Sequence, residues 1–276
     1  LFWERQKPDS KSQVPLFGVP GLTRFATCGT GPVRGMWNMD SVAYAVSGTH
    51  LYSISQGGVT TVLGSGIAGV DPVAMSDNGS QLIIVNGAQG FIYEPLTTTF
   101  TQITSAAFYP CNTVTFFDNY FIFDRIDTNE WFISNILDGL TYSALDFASA
   151  EASSQHVVGI TQNVQLLFIF SQDHFEVWYD AGTPDFPFQR YTGGVIWRGC
   201  VAPKTIIKQD TAIFFLGDDL SFYELKGNEP VRVSTHPIDN IIREDPSPEL
   251  AFCFGYALEG HKFVNLVLPT SRRTLT

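Results

Sequence analysis

The fold is decided by the stretch DNGSQLIIVNGAQGFIY, residues 77–93. A polar turn at Asp77–Gly79 precedes the apolar run Leu82–Val85, and a second turn at Asn86-Gly87 precedes the aromatic run Phe91–Tyr93. Gly, Asn and Asp tolerate positive φ and hydrogen-bond their own backbone, so such turns mark the tips of hairpins. The stretch therefore predicts short antiparallel strands joined by tight turns.

The same order of turns and runs recurs along the chain. First-turn signals lie near positions 40, 78, 119, 163, 210 and 260, at intervals of 38, 41, 44, 47 and 50 residues. Four short runs per unit at this period are typical of β-propeller blades. A β-sandwich is the alternative, but it gives no reason for one turn order to recur at this spacing. We predict an all-β propeller with six four-stranded blades.

Two segments complete this architecture. Ser234–Pro237 predicts a helix start with a hydroxyl cap, and Ile238, Ile241 and Ile242 share one apolar face, so one short helix precedes the last blade. In the later units, the fourth strand of the preceding unit stands directly before the first strand, and the run Leu22–Thr27 occupies this position before unit one. We therefore expect this run to close the ring as the outer strand of the last blade.

The predicted domains are an N-terminal arm (1–21) and the propeller (22–276). In the third unit, the fourth strand is expected at Leu140–Leu145. The sixth unit stops in its third strand, so we expect the last blade to be incomplete and the C-terminal remainder to be missing here.

Composition excludes several classes of protein. The net charge is −11 and 44% of residues are hydrophobic. Disorder is excluded because a chain this apolar buries enough surface to fold. A membrane-spanning helix is excluded because the longest apolar runs are far shorter than about 20 residues. The acidic balance argues against sequence-specific nucleic acid binding and against binding to anionic lipid, since both need clustered Lys and Arg.

Candidate site motifs are weak. The Gly64–Gly69 segment matches GxGxxG, but a strand rather than a helix follows it, so we interpret it as an inter-blade loop. Ser171–Trp178 nearly matches a sialidase-type turn and is interpreted as a hairpin tip. Asp218-Asp219 is interpreted as a solvated pair. Asp71 is interpreted as a turn residue before Pro72, and the alternative is that it faces the mouth of the central channel. We therefore predict no enzyme activity, no cofactor and no catalytic or cofactor-binding residue.

Cysteine and histidine spacings give no metal signal. The four cysteines show no CxxC, so reduced thiols are predicted, with two disulfides as the alternative. The five histidines show no HxH or HxxxH spacing, so no metal site is predicted. They are His50, His156, His174, His236 and His261.

Several separated motifs resemble one family, the packaged-DNA stabilisation proteins, or tail accessory factors, of short-tailed bacteriophages. The similar segments share their order along the chain and are Leu16–Thr23, Gly31–Gly35, Tyr44–Gly48, Asp118–Tyr120, Asn129–Ser134, Leu145–Ser153, Glu176–Tyr179 and Ser234–Ile242. The resemblance spans nearly all of residues 16–268.

The resemblance implies a structural virion protein of the phage tail, assembled in the bacterial host cytoplasm. Members of that family close the portal and adaptor channel after DNA packaging and carry the tail needle. The implied partners are therefore the portal/adaptor ring and the tail-needle proteins, with a cyclic hexamer in the tail. No contact residue is assigned. The alternative is a carbohydrate-binding or glycan-hydrolysing propeller used in host recognition.

Overall fold

The structure, a computed structural model, describes residues 2–4, 16–18, 23–258 and 260–276. At the N-terminus, β1 (Phe2–Glu4) pairs antiparallel with β2 (Leu16–Gly18). Six further antiparallel sheets follow in chain order. This arrangement confirms the six-bladed propeller predicted from the turn period.

Each of the first five blades has four strands in sequential order. Blade one contains β3 (Val33–Met39), β4 (Val42–Ser47), β5 (His50–Ile54) and β6 (Thr60–Ser65). Blade two contains β7 (Ala74–Asp77), β8 (Leu82–Val85), β9 (Gly90–Glu94) and β10 (Thr99–Gln102). Blade three contains β11 (Val114–Phe117), β12 (Tyr120–Asp124), β13 (Glu130–Ile133) and β14 (Phe147–Ser149).

Blade four contains β15 (Val157–Asn163), β16 (Leu166–Ser171), β17 (Phe175–Asp180) and β18 (Phe188–Ile196). Blade five contains β19 (Ile207–Gln209), β20 (Ala212–Leu216), β21 (Phe222–Lys226) and β22 (Glu229–Arg232). Blade six contains β23 (Phe252–Leu258), β24 (His261–Leu268) and β25 (Arg273–Leu275). Single-turn 3-10 helices lie at Pro203–Thr205 and Pro248–Leu250.

Turn chemistry explains the tight hairpins. Asp40-Ser41 and Asp118-Asn119 are two-residue turns in which both residues have positive φ. This is the backbone of a type I′ turn, whose twist matches that of the flanking strands. The hairpin geometry therefore favours the polar residues found at these positions in the sequence.

Hydrophobic cores join neighbouring blades. Within the described residues, five buried clusters connect blades one to two, two to three, three to four, four to five, and five to six. No cluster in the same part of the chain joins blade six to blade one. Within the described residues, blades one and six therefore lack the shared buried cluster that joins the other neighbouring blades.

The predicted N-terminal closing strand requires correction. Residues 23–28 form no strand, and Leu22 lies outside the described residues. The segment is instead held to blade one, because Thr60 Oγ1 donates to Thr27 O at 3.3 Å and Ser47 Oγ donates to Cys28 O. The prediction that this run pairs with blade six is wrong for Thr23–Thr27, and among described residues blade six has three strands. Most of the predicted arm (1–21) also lies outside the described residues.

The fourth strand of blade three is displaced from its predicted position. Residues 140–146 form turns, and the strand begins at Phe147. Asp138 Oδ1 accepts the Leu140 N–H at 2.9 Å, and the Tyr142 hydroxyl donates to Gly139 O at 2.7 Å. These local bonds hold the apolar run Leu140–Leu145 in a loop, so the strand predicted there is wrong.

The short helix before the last blade is confirmed as α1 (His236–Arg243), with Pro237 in its first turn. Ile242 is fully buried, and Ile238 and Ile241 pack against the core between blades five and six. The predicted cap is wrong in detail, because Thr235 makes no side-chain cap. The Ser234 hydroxyl instead bonds Asp239 Oδ1 and accepts the Phe222 N–H.

Candidate functional site

The two edges of the propeller differ in how they hold charge. We call the edge with the turns between first and second and between third and fourth strands the hairpin edge. The opposite edge, with the second-to-third turns and the connections between blades, is the loop edge. Among the described residues, six charged or histidine side chains are buried, and all lie at the loop edge: Arg34, Asp124, His174, Glu176, Asp239 and Asp245. Burial of charge requires partners, so this edge is where polar chemistry is concentrated.

Arg34 fastens blade one to blade two. Its guanidinium donates to four main-chain carbonyls, those of Gly48, Ile67, Ala68 and Asp71, at 2.8–2.9 Å. Burial lowers the pKa of Arg34, and the charge of Asp71 opposes that shift. The Gly64–Gly69 segment is thus an inter-blade loop, as predicted, and two of its carbonyls accept bonds from Arg34. Asp71 contributes its carbonyl oxygen to Arg34, and its side chain is exposed.

A second network links blade three to the inner strand of blade four and to the 3-10 helix that precedes blade five. The Asp124 carboxylate accepts the Asn112 and Thr113 N–H groups and the Thr113 hydroxyl, at 2.6–3.1 Å. Thr113 Oγ1 accepts the Ile160 N–H at 2.9 Å, and Lys204 Nζ donates to Asn112 O. Burial raises the pKa of Asp124 against the effect of these bonds, and burial lowers the pKa of Lys204. This set ties blades three and four to that 3-10 helix near their inner strands.

The third network surrounds His174, in the turn between β16 and β17. Its Nδ1 lies 2.6 Å from Asp173 Oδ1, and its Nε2 lies 3.8 Å from Glu176 Oε1. Glu176 also accepts the Ala152 N–H and the Trp178 indole N–H, each at 2.9 Å, and pairs with Arg190 at 3.2 Å. The Ser171–Trp178 motif is therefore a hairpin tip, as predicted, and in addition carries a buried ionic cluster.

The connection between blades five and six holds the last two buried acids. Asp239 of α1 contacts the hydroxyls of Ser221 and Ser234 and forms an ion pair with Arg232. Asp245 accepts the N–H groups of Ser247 and Ser271 at 2.9 and 3.0 Å. Burial opposes ionisation of Asp245, but these bonds outweigh it and lower its pKa.

Asp218-Asp219 is exposed, as predicted, and in addition binds neighbouring side chains. Arg198 Nη1 lies 2.7 Å from Asp218 and 3.4 Å from Asp219, and the Tyr223 hydroxyl donates to Asp219 at 2.8 Å. Burial, followed by the bond to Asp219, raises the pKa of Tyr223 to about 12. Both residues are exposed, as predicted for a solvated pair, and they also help to hold the blade-five turn.

Other candidate sites lack a converging set of reactive groups. No group of three or more potential metal ligands occurs among the residues that the structure describes. All four cysteines are free. A recess of about 340 Å³ on blade one is lined by hydroxyl, amide and apolar side chains: Ser41, Val42, Ser53, Ile54, Ser55, Gln56, Val59 and Thr61. Within the described part of the chain, no helix is long and apolar enough to span a bilayer.

The buried charges were missed by sequence reasoning, although a signal existed. Arg34 opens a strand, and Glu176 interrupts the apolar run Phe175–Tyr179. A charge inside a strand-forming run needs a buried partner, but the sequence gives no indication which distant carbonyl or histidine supplies it.

Comparisons with known proteins agree with the fold. The model of a phage stabilisation family, described as "Bacteriophage P22 Gp10, beta-propeller", matches residues 4–276. No curated protein matches the chain. Two solved structures from B. thetaiotaomicron, extracellular domains of a putative one-component and a putative hybrid two-component system, share 11% identity with it and have TM-scores of 0.56 and 0.54. Each match covers 91% of this chain but only 34% or 33% of the length of the solved structure. These structures therefore support the fold alone.

Proposed function

The chain belongs to the phage stabilisation family typified by bacteriophage P22 Gp10, and we propose that it closes the portal and adaptor channel of a phage tail after DNA packaging. In this role it is a structural virion protein that retains the packaged genome and serves as the attachment point of the tail needle. The observation that carries the proposal is the family match over residues 4–276, which includes every blade.

The charge distribution supports this role. The basic side chains are largely engaged within the protein: Arg125 pairs with Glu130, Arg198 with Asp218, Lys262 with Asp210 and Arg273 with Glu244. With a net charge of −11, such a surface binds DNA phosphates weakly. A closure protein must block the channel and later let DNA pass, and a wall that does not hold phosphates suits both steps.

We propose that several copies assemble around the tail axis, as a hexamer. Tail rings repeat by cyclic symmetry, so each copy presents two different surfaces to its two neighbours and a third to the adaptor ring. The isolated chain is expected to be monomeric, because the adaptor ring supplies the template.

Particles assembled without this chain test the proposal. We expect their heads to fill with DNA and then to lose it, with nuclease sensitivity and empty heads in electron micrographs. Adding the purified chain to freshly filled particles should restore retention. Particles that keep their DNA but fail to adsorb to host cells would contradict channel closure and favour a glycan-binding propeller.

A further inference from the structure

We propose that His174 is a protonation switch that fastens the connection between blades three and four, residues 150–156, to blade four. When its imidazole is protonated, His174 stands between the carboxylates of Asp173 and Glu176, and each carboxylate also holds the connection. When the imidazole loses the proton on Nε2, this fastening weakens and the connection opens. The proposal is independent of the virion role.

The contacts to the connection run through the two acids. Glu176 Oε1 accepts the Ala152 N–H at 2.9 Å, and Asp173 Oδ1 accepts the Ser153 hydroxyl at 3.1 Å. Ser153 Oγ in turn accepts the Gln155 N–H at 3.1 Å. Three successive points of the connection are thus tied directly or indirectly to the neighbours of one histidine.

The position of Nε2 gives the switch its direction. His174 and Glu176 are both fully buried, and Nε2 has no hydrogen-bond partner among the described atoms while it lies 3.8 Å from Glu176 Oε1. A neutral imidazole that donates from Nδ1 to Asp173 turns the Nε2 lone pair toward a buried carboxylate, which is repulsive. A protonated imidazole instead presents an N–H to that carboxylate, which is attractive.

Two carboxylates beside His174 favour its protonated form, those of Asp173 in the turn and Glu176 on β17. Arg190 on β18 lies beyond Glu176 and pairs with it, and its positive charge does not favour a second cation. The Trp197 ring packs on the imidazole with centroids 5.6 Å apart. In the connection, Glu151 and His156 form no ion pair with His174 among the described contacts.

The protonation equilibria agree with this geometry. Burial alone would lower the pKa of His174, but its interactions with Glu176 and Asp173 outweigh burial and raise the pKa above its ordinary value. Burial would raise the pKa of Glu176 and of Asp173, but their electrostatic interactions with His174 and their bonds to the connection lower both.

The fastening therefore has a defined pH window. Because the folded-state pKa of His174 is raised, protonated His174 stabilises the closed connection. This stabilisation is fully present below the unfolded-state pKa of about 6.5 and is lost as the pH rises through the folded-state pKa. The folded-state pKa values of Asp173 and Glu176 are lowered. The stabilisation that these two carboxylates provide is therefore lost only as the pH falls through their folded-state pKa values. The connection is thus held below the folded-state pKa of His174 and opens as the pH rises through that value.

Nuclear magnetic resonance of the whole chain tests the switch. The His174 imidazole, assigned by comparison with His174→Gln, is titrated between pH 5.5 and 9.5 while exchange of the Ala152 amide is followed and corrected for its intrinsic pH dependence. We expect an imidazole midpoint above 6.5. Protection of Ala152 should fall through that midpoint, by about tenfold for each pKa unit of the shift. His156→Gln, on the same connection, is the matched control and should behave like the parent chain.

Two further variants keep the outcome decisive if His174→Gln fails to fold. Glu176→Gln should lower the imidazole midpoint, since it removes the facing charge. The fluorescence difference between the parent chain and Trp197→Phe should titrate with the same midpoint, because an imidazolium quenches a neighbouring indole. An imidazole midpoint at or below 6.5, or Ala152 protection that does not change across the midpoint, would overturn the proposal.

Discussion

The loop edge and the hairpin edge of this propeller use charge in opposite ways. At the loop edge, Arg34 and Asp124 are buried, and each makes several bonds to main-chain groups of other segments. At the hairpin edge, Asp40, Asp118 and Asp210 are exposed turn residues. The difference teaches that connections between blades need fixed partners for their free carbonyls and amides, whereas a two-residue hairpin satisfies its own backbone.

The largest effect is expected at Arg34. Replacing it in Arg34→Leu leaves four carbonyls without their donor, so the free energy of unfolding should fall by about 3–5 kcal/mol. The measurement is urea denaturation at neutral pH. Arg273→Leu is the matched control, because its pairing with Glu244 is exposed and should contribute at most about 1 kcal/mol. Similar losses in the two variants would remove the distinction between buried and exposed charge.

The next effect compares one acid from each edge. Asp239→Ala leaves Arg232 and the hydroxyls of Ser221 and Ser234 without their acceptor, and we expect a loss of about 2–3 kcal/mol. Asp210→Asn removes the charge of an exposed pair with Lys262 and keeps a residue type that tolerates the positive φ of Asp210, so its loss should be much smaller than that of Asp239→Ala. Thermal unfolding of both variants under one buffer checks the difference, and the reverse order of stability would contradict it.

The smallest effect is at Asp118 on the hairpin edge. Burial, followed by the neighbouring Asp180, raises the pKa of Asp118, so its charged form destabilises the fold as pH rises through the raised value. Asp118→Asn should therefore gain at most about 0.5 kcal/mol at pH 7 relative to pH 3.

Asp40→Asn controls for the preference of asparagine for positive φ, because Asp40 and Asp118 both have φ of 50° at the first position of equivalent turns. The free energies of unfolding of the two variants should thus differ in how they change with pH, and not by a constant amount at every pH. Identical pH profiles would show that Asp180 does not act on Asp118.

The contrast between the edges also explains what the sequence allowed us to predict. Turn residues such as Asp118-Asn119 act on their own backbone, so their spacing revealed six blades and the hairpin edge. The partners of Arg34 lie up to 37 residues away, and no local pattern specifies them. The strand predicted at Leu140–Leu145 failed for a related reason, since the bonds of Asp138 and Tyr142 in that loop override strand propensity.

The ring closure failed because an apolar run carries no information about which blade it contacts. The run Leu22–Thr27 was expected to pair with blade six, yet the carbonyls of Thr27 and Cys28 accept bonds from side chains of blade one. The sequence offered a function only through family resemblance, because the motifs in it point to no particular chemistry.

Site-resolved amide exchange tests the central claim, that the loop edge is the fixed edge, most directly. The amides of Ile67, Val73, Ala150 and Cys200 bond carbonyls across the loop edge, while that of Gly79 bonds only its own turn. We predict opening free energies for the four loop-edge amides that approach those of the central strands, with Gly79 exchanging much faster. Loop-edge amides that exchange as fast as Gly79 would contradict the account.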